Sequence, residues 1–300
     1  MDTDMAAPGF ERIVADGAQL DQIASGLIFG EGPVWNSREG HFRWVDIVGD
    51  TIWQWTPGLG KEIVLRPSGK ANGMTYDRQG RLIVAGWGAR TVWRMEQDGS
   101  IVTLASHYQG LKINSPNDIV CKADGAIYFT DPVGGLYNVG HAGQDVQRYL
   151  DVSGIYRIAP DGSELRLVVD DAVYPNGLCF SPDEQLLYIN DTRLAHIRVF
   201  DVQPDGSCAN GRLFYQLVGD EPGVADGMKC DVEGNVYVTG PAGIHVVDPN
   251  GRLLGRLKIP AHATNLSWGG DDWRSLYITT YGPGCVYRIR LNVPGVPVEI

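Results

Sequence analysis

Apolar and polar positions along this chain alternate in short runs, and no long segment carries a helical stripe. The runs are rich in β-branched and aromatic residues, the composition that suits pleated, half-buried strands. One phrase returns six times. It has a polar head, a brief apolar strand, a Gly/Asp turn and a second strand ending in Val, Ile, Tyr or Phe. The copies begin EGPVW at Glu31, NGMTY at Asn72, NDIVC at Asn117, NGLCF at Asn176, DGMKC at Asp226 and NLSW at Asn265. Heads recur every 39–59 residues, and a period of that order with strand contents predicts a β-propeller rather than a helical solenoid. Hairpin signals fall where a four-stranded unit needs them: DRQG, KADG and DVEG after the first strand, then QDG, PDG and PNG before the last.

The expectation is an all-β fold, a six-bladed propeller of four-stranded antiparallel blades around a central channel. It occupies residues 1–300 as one domain, with residues 1–18 a peripheral N-terminal extension. Radial stacking buries the faces that a lone four-stranded sheet leaves open. The last repeat has three clear strands before Leu291. Either a segment near Gln19–Ser25 or the tail NVPGVPVEI supplies its outer strand.

Blade geometry then locates the chemistry. The innermost strand starts at the head, so the six heads gather at one end of the channel. The second strand returns antiparallel to the same end, bringing up Asp46, Trp87, Asp131, Asp191, Thr239 and Tyr281 as a rim. Asn and Asp beside Gly are ordinary turn residues, but Glu31 has no turn role. Asp226 adds a second carboxylate at the axis. Two carboxylates in one channel repel, and at least one is driven to protonate unless a cation joins them. Carboxylates plus amide carbonyls are hard oxygen donors, matching one divalent metal ion: Ca²⁺ first, then Mg²⁺ or Mn²⁺, with Zn²⁺ or Fe²⁺ also to be tested. No Cys or His heads a repeat.

Bulk properties narrow the partners. The chain has 300 residues, 43% hydrophobic content and net charge −11, with 39 Gly and 17 Pro. An acidic balance argues against nucleic acid, whose backbone wants a basic face. The N-terminal run MDTDMAAPGFERIVADG lacks a basic and an apolar signal region, and no stretch has the length of a membrane span. Five scattered Cys without a CxxC read as small buried hydrophobes in a reducing, cytoplasmic setting. A monomer or small homo-oligomer acting on a small molecule is expected.

Taken jointly and in order, EGPVW, SPNDIV followed by YFTDP, YPNGLCFSPDEQLLYINDT and ADGMKCDVEGNVYV resemble the regucalcin/gluconolactonase family, also called luciferin-regenerating-enzyme-like. The similarity runs over roughly Leu20 to Arg290. It implies a six-bladed propeller with one divalent metal in the channel and hydrolysis of sugar lactones. By motif it implies Glu31, Asn176 and Asp226 as metal ligands, and Asn117 as a ligand to metal or substrate. Asn72 and Asn265 are left as supports behind the ligands or as lining of the tunnel. Two departures matter. Ser115 stands where the animal aldonolactonases carry an Arg that contacts the sugar, so their substrate cannot be inherited. Lys229 follows the DGM motif where phosphotriesterase-like relatives place an acid for a second calcium, so no second site is expected.

A lactone needs its carbonyl polarised, a water brought to attack and a base for that water's proton. Asp191 in YINDT is the favoured base, its plain alternative being a turn aspartate. Asp226 is the second candidate and Asp131 the third. The excess of the third repeat, Pro132–Ser153, follows a second strand and so projects over the pocket. Tyr137, His141 and Tyr149 on it are expected to shape substrate choice, with Trp87, Asp131, Tyr281 and Asn117 as further contacts. His262 lies near the channel. The leading expectation is a metal-dependent hydrolase opening a sugar lactone by attack of an activated water. The same site could act on another lactone, an aryl ester or a phosphotriester. The reading from a different class is a non-catalytic calcium- or partner-binding propeller.

Overall fold

The computed structural model describes residues 1–137 and 140–300. Each Gly/Asp turn closes an antiparallel hairpin, and successive hairpins pair into four-stranded sheets. In the second repeat Met74–Tyr76, Leu82–Gly86, Thr91–Met95 and Ile101–Ala105 pair in chain order. The third does so through Ile119–Cys121, Ile127–Asp131, Ser153–Ile158 and Leu165–Ala172. The fourth uses Pro175–Phe180, Leu186–Asp191, His196–Val202 and Cys208–Gln216. The fifth uses Met228–Cys230, Val236–Gly240, Gly243–Val247 and Leu253–Lys258, and Thr3–Met5 adds an outer fifth strand. The molecule is an all-β propeller built of four-stranded antiparallel blades.

The expected six separate sheets are not what forms. Five large sheets are present, because the first and last repeats are merged into one of six strands. Two long strands merge them. Leu20–Asn36 pairs through Leu20–Phe29 with Ser275–Arg290 of the last repeat. Through Gly30–Asn36 it pairs with His41–Asp46 of the first. Ser275–Arg290 in turn pairs through its first half with His262–Gly269. The N-terminal segment, not the tail, is thus the strand that joins the last repeat to the first.

Side chains alternate across each strand, so both faces of a blade carry apolar residues that need a neighbour. Six apolar clusters meet that need among the described residues, each shared by two successive repeats. One lies between last and first: Phe42, Trp44 and Tyr277 bury together, with Phe42 stacked on Tyr277 at 4.4 Å. The N-terminal residues also take part, Phe10 and Ile13 being buried between the fifth and last repeats. The tail crosses the channel end remote from the heads. Val296 donates its N–H to Cys230, and Glu299 pairs with Arg78 at 2.6 Å. Beneath it lies a cavity of about 480 Å³ lined by Val34, Met74, Cys179, Lys229 and Trp268 among others. Among the described residues no helix is long and apolar enough to cross a membrane.

Candidate active site

The heads gather because their backbones are stitched to one another. Gly73 N–H donates to Asn117 O at 2.7 Å, and Gly177 N–H to Asp226 O at 3.0 Å. Thr130 Oγ1 donates to Asn176 O at 2.7 Å. The glycine after four of the heads therefore lies against the next head. A Cβ on Gly32 would sit 2.0 Å from Asn72 O, and one on Gly73 2.5 Å from Asn117 O. On Gly177 it would meet Asp226 O at 2.2 Å, and on Gly227 Asn265 Oδ1 at 2.0 Å. No side chain fits those gaps, so the Gly of NG and DG serves a ring contact here as well as local turn chemistry.

Glu31, Asn72, Asn117, Asn176 and Asn265 are buried, while Asp226 alone of the heads keeps part of its surface open. Glu31 Oε2 accepts Gly32 N–H and Asn265 Nδ2, each at 2.9 Å. Asn265, expected either to support a ligand or to line the tunnel, orients the Glu31 carboxylate. Burial pushes the Glu31 carboxyl up to about 7, with Asn265 and Gly32 opposing and nearby Asp118 adding to the rise. Burial, then Glu31 and Asp118, lift Asp226 well above the ordinary carboxylate range, against the pull of the Asn176 amide. Asn176 Nδ2 donates to Thr192 Oγ1 at 3.0 Å, which leaves Asn176 Oδ1 buried without a partner. Asn72 Oδ1 is buried in the same state.

This donor set fits a hard divalent cation. Burial raises the proton affinity of both carboxyls and Glu31 adds to the rise at Asp226, while orphaned amide oxygens cost free energy unless something positive meets them. Among the described residues no three His, Cys, Asp or Glu side chains gather closely enough to hold a metal alone. Glu31 and Asp226 would therefore share it with asparagine oxygens, of which Asn176 Oδ1 is the one left open beside Asp226.

The rim acids have a different occupation. Asp191 Oδ2 accepts the N–H groups of Val173 and Tyr174, and Oδ1 those of Arg193 and Leu194. Asp46 accepts Ile28, Phe29 and Gly49 N–H in the same manner. Asp131 Oδ2 accepts Asn114 N–H at 2.8 Å, its other oxygen is buried without a partner, and burial pushes it up to about 7. In the fifth repeat Thr239 Oγ1 accepts Asp226 N–H. A residue at the end of a second strand thus braces the segment that leads into the head. The antiparallel argument puts these side chains at the right end of the channel, yet the lone pairs of Asp191 face backbone.

An aromatic wall stands over one side. Phe29 stacks on Tyr281 at 4.9 Å, His141 meets the Phe29 edge at 4.9 Å, and His262 lies 4.8 Å from Tyr281. Burial holds both histidines below their ordinary pKa, His141 with help from Lys70, so both are neutral at pH 7. Tyr281 and His141, both candidate substrate contacts, are brought together around Phe29, which sequence reasoning did not single out. Trp87 is buried under the short helix Gly134–Tyr137, where Gly134 and Gly135 leave room for its ring. Tyr137 is exposed, and Tyr149 lies under the Arg90 guanidinium at 5.3 Å. Arg90 itself is 1% exposed and donates to Ile113 O, Asn114 O, Asp145 O and Gln147 O. It ties the loop Pro132–Ser153 down, although residues 138 and 139 of that loop lie outside the described residues.

Residues 29–282 match a family described as the SMP-30/Gluconolactonase/LRE-like region. A gluconolactonase of Zymomonas mobilis is 31% identical, over 96% of this chain and 86% of that protein. Regucalcin of Danio rerio is 30% identical, over 89% and 92%. The solved structure of a gluconolactonase from Xanthomonas campestris superposes with a TM-score of 0.89 at 32% identity, over 96% and 94%.

Proposed function

This chain belongs to the SMP-30/gluconolactonase/LRE-like family, and from that premise we propose that it hydrolyses a sugar lactone with the help of one divalent cation, Ca²⁺ by preference. The observation that carries the reading is the pairing of Glu31 and Asp226, two carboxyls whose proton affinity burial raises, with Glu31 adding to the rise at Asp226, beside the orphaned amide oxygen of Asn176. Glu31, Asn117, Asn176 and Asp226 would hold the cation. When bound, it would supply Lewis-acid polarisation of the ester carbonyl and acidify a water.

The chain's own groups do the rest. Asp226 is the better placed proton acceptor, because both oxygens of Asp191 are occupied by four backbone N–H groups. In this mechanism Asp226 takes a proton as water oxygen bonds to the carbonyl carbon. It returns that proton to the ring oxygen when the C–O bond breaks, giving the open hydroxy acid. Asp191 and Asp131 hold the loops that carry the heads. Phe29, His141, His262 and Tyr281 offer an apolar face with two neutral imidazoles, suited to a polyhydroxylated ring that has both C–H and O–H surfaces. Thr192 fixes Asn176, and Asn265 fixes Glu31.

We also read the six-stranded sheet as two blades, which makes six in all. Dividing each of its two long strands gives eight segments, two sets of four. The six apolar clusters between successive repeats support that count. Five free thiols suit a cytoplasmic location.

The test is acid release from D-glucono-1,5-lactone and related sugar lactones by metal-stripped protein. Ca²⁺, Mg²⁺, Mn²⁺, Zn²⁺ and Fe²⁺ are added back separately. Metal-dependent hydrolysis is expected, together with loss of cation binding and turnover in Glu31→Gln. Absence of metal-dependent acid release with every lactone would reject the reading.

A further inference from the structure

The position after the head is glycine in four repeats for the steric reason given above. The third repeat breaks the pattern with Asp118, which sends a carboxylate into the channel just beyond the cage. Asp118 is 2% exposed. Its Oδ1 accepts Ile119 N–H at 2.9 Å, while its Oδ2 is buried and has no hydrogen bond. The nearest cation is Lys229, whose Nζ lies 3.6 Å from that oxygen and also donates to Met228 O at 3.0 Å. Lys229 follows Asp226 by three residues on the next-but-one inner strand and reaches across the channel between the cage and the far cavity. Asp118 bears on both Glu31 and Asp226, and Lys229 bears on Glu31 in the opposite sense.

We propose that Lys229 and Asp118 form a built-in charge balance. Once a cation holds the carboxyls ionised, Glu31, Asp118 and Asp226 would carry three negative charges, and Lys229 would return the local sum to minus two, the complement of one divalent cation. The pair therefore sets how tightly the cation is held, without touching it. Asp118 gives the cage more pull than its two carboxylates supply, and Lys229 limits that pull so that the cation can exchange. Lys229 and Asp118 are positioning residues in this scheme, acting through the field at the cage. In a partly dehydrated channel such a field acts strongly and salt screens it little.

The inference rests on the cation reading, and calorimetric titration of the metal-stripped full chain with CaCl₂ separates the two. Lys229→Met leaves minus three and should bind Ca²⁺ at least about tenfold tighter, the scale expected when one charge changes near a divalent ion. Asp118→Asn leaves minus one and should bind about tenfold weaker. The double variant restores minus two and should return to within about threefold of the parent, a coupling that a double-mutant cycle isolates. Lys229→Gln should follow Lys229→Met, and serves if the methionine variant does not fold. As a second readout, the thermal midpoint of metal-free Lys229→Met should fall below the parent's and rise further on adding Ca²⁺. A merely structural ion pair would weaken binding in both single variants. Unchanged or weaker binding in both Lys229 variants would overturn the charge balance and leave the cation reading standing. No Ca²⁺ binding by the parent would overturn both.

Discussion

Glu31 and Asp226 are ordinary residues in an unusual setting: both would rather be protonated than bare. The sign of the consequence follows. A carboxyl whose folded pKa is raised binds protons in the folded state that the unfolded chain has already released. Stability therefore falls as pH rises from about 4.5, the ordinary value of Glu31, through about 7, its folded value. Asp131, pushed up to about 7 by burial, adds in the same direction. Metal-free protein is expected to melt at a higher temperature at pH 5 than at pH 7.5, and saturating Ca²⁺ should shrink that difference. A midpoint that rises with pH in the absence of metal would contradict it. Asp226→Asn is expected to cut turnover by about 10³-fold or more, as loss of a proton-accepting group and ligand does. Asp191→Asn should cost mainly stability, by about 1–3 kcal/mol, since an amide oxygen and an NH₂ replace an acceptor of four N–H groups. Equal losses of turnover in both, with unchanged melting, would return the base to Asp191. Much of the cage was legible in the sequence because Glu31 and Asp226 interrupt a row of asparagines. Asp118 was not, because an Asp after Asn reads as a turn, and the motif around Lys229 spoke only to a second cation site, not to its contact with Asp118. Which lone pairs Asp191 offers to the pocket is a matter of side-chain direction, which strand order does not carry.

Among the elements, inner and second strands were readable almost residue by residue, since Gly/Asp turns punctuate them. The outermost strands were less so: in the fourth repeat Cys208–Gln216 opens on CANGR, which carries no clear alternation, before its apolar LFY. Outer strands are half exposed, so their alternation is diluted by polar residues. The insertion Pro132–Ser153 announced itself by length, but its anchor did not. Arg90 in WGARTV looks like a turn residue, yet it is buried and donates to carbonyls at 113, 114, 145 and 147. Arg90→Met is expected to destabilise the protein by about 3 kcal/mol, since several buried acceptors lose their donor together. Hydrogen exchange should quicken first at residues 113–114 and 145–147. Uniform quickening over the whole chain would mean that Arg90 does not act as a local clamp.

For the molecule as a whole, closure is the event that matters, and it depends on a seam between its two ends. Phe42, Trp44 and Tyr277 form that seam, with Leu20–Phe29 laid along the last repeat. Phe42→Ala should lower stability by about 3–5 kcal/mol, the range for a buried aromatic. A comparable apolar deletion on the outer edge, Ile63→Ala, should cost well under 1 kcal/mol because Ile63 is 47% exposed. The sequence predicted the ring but not its merged sheet, since two strands that each serve two partners look like two strands apiece. The stitched inner ring has a bearing on how such a molecule can change. Each head offers a side chain to the channel, while the residue behind it at 32, 73, 177 and 227 has no room for any side chain. Chemistry and architecture are thereby written in adjacent letters, one free to vary and one not. A library that randomises positions 31, 72, 117, 176, 226 and 265 explores new ligands and substrates on an intact frame, whereas one that includes the glycines mostly samples broken rings.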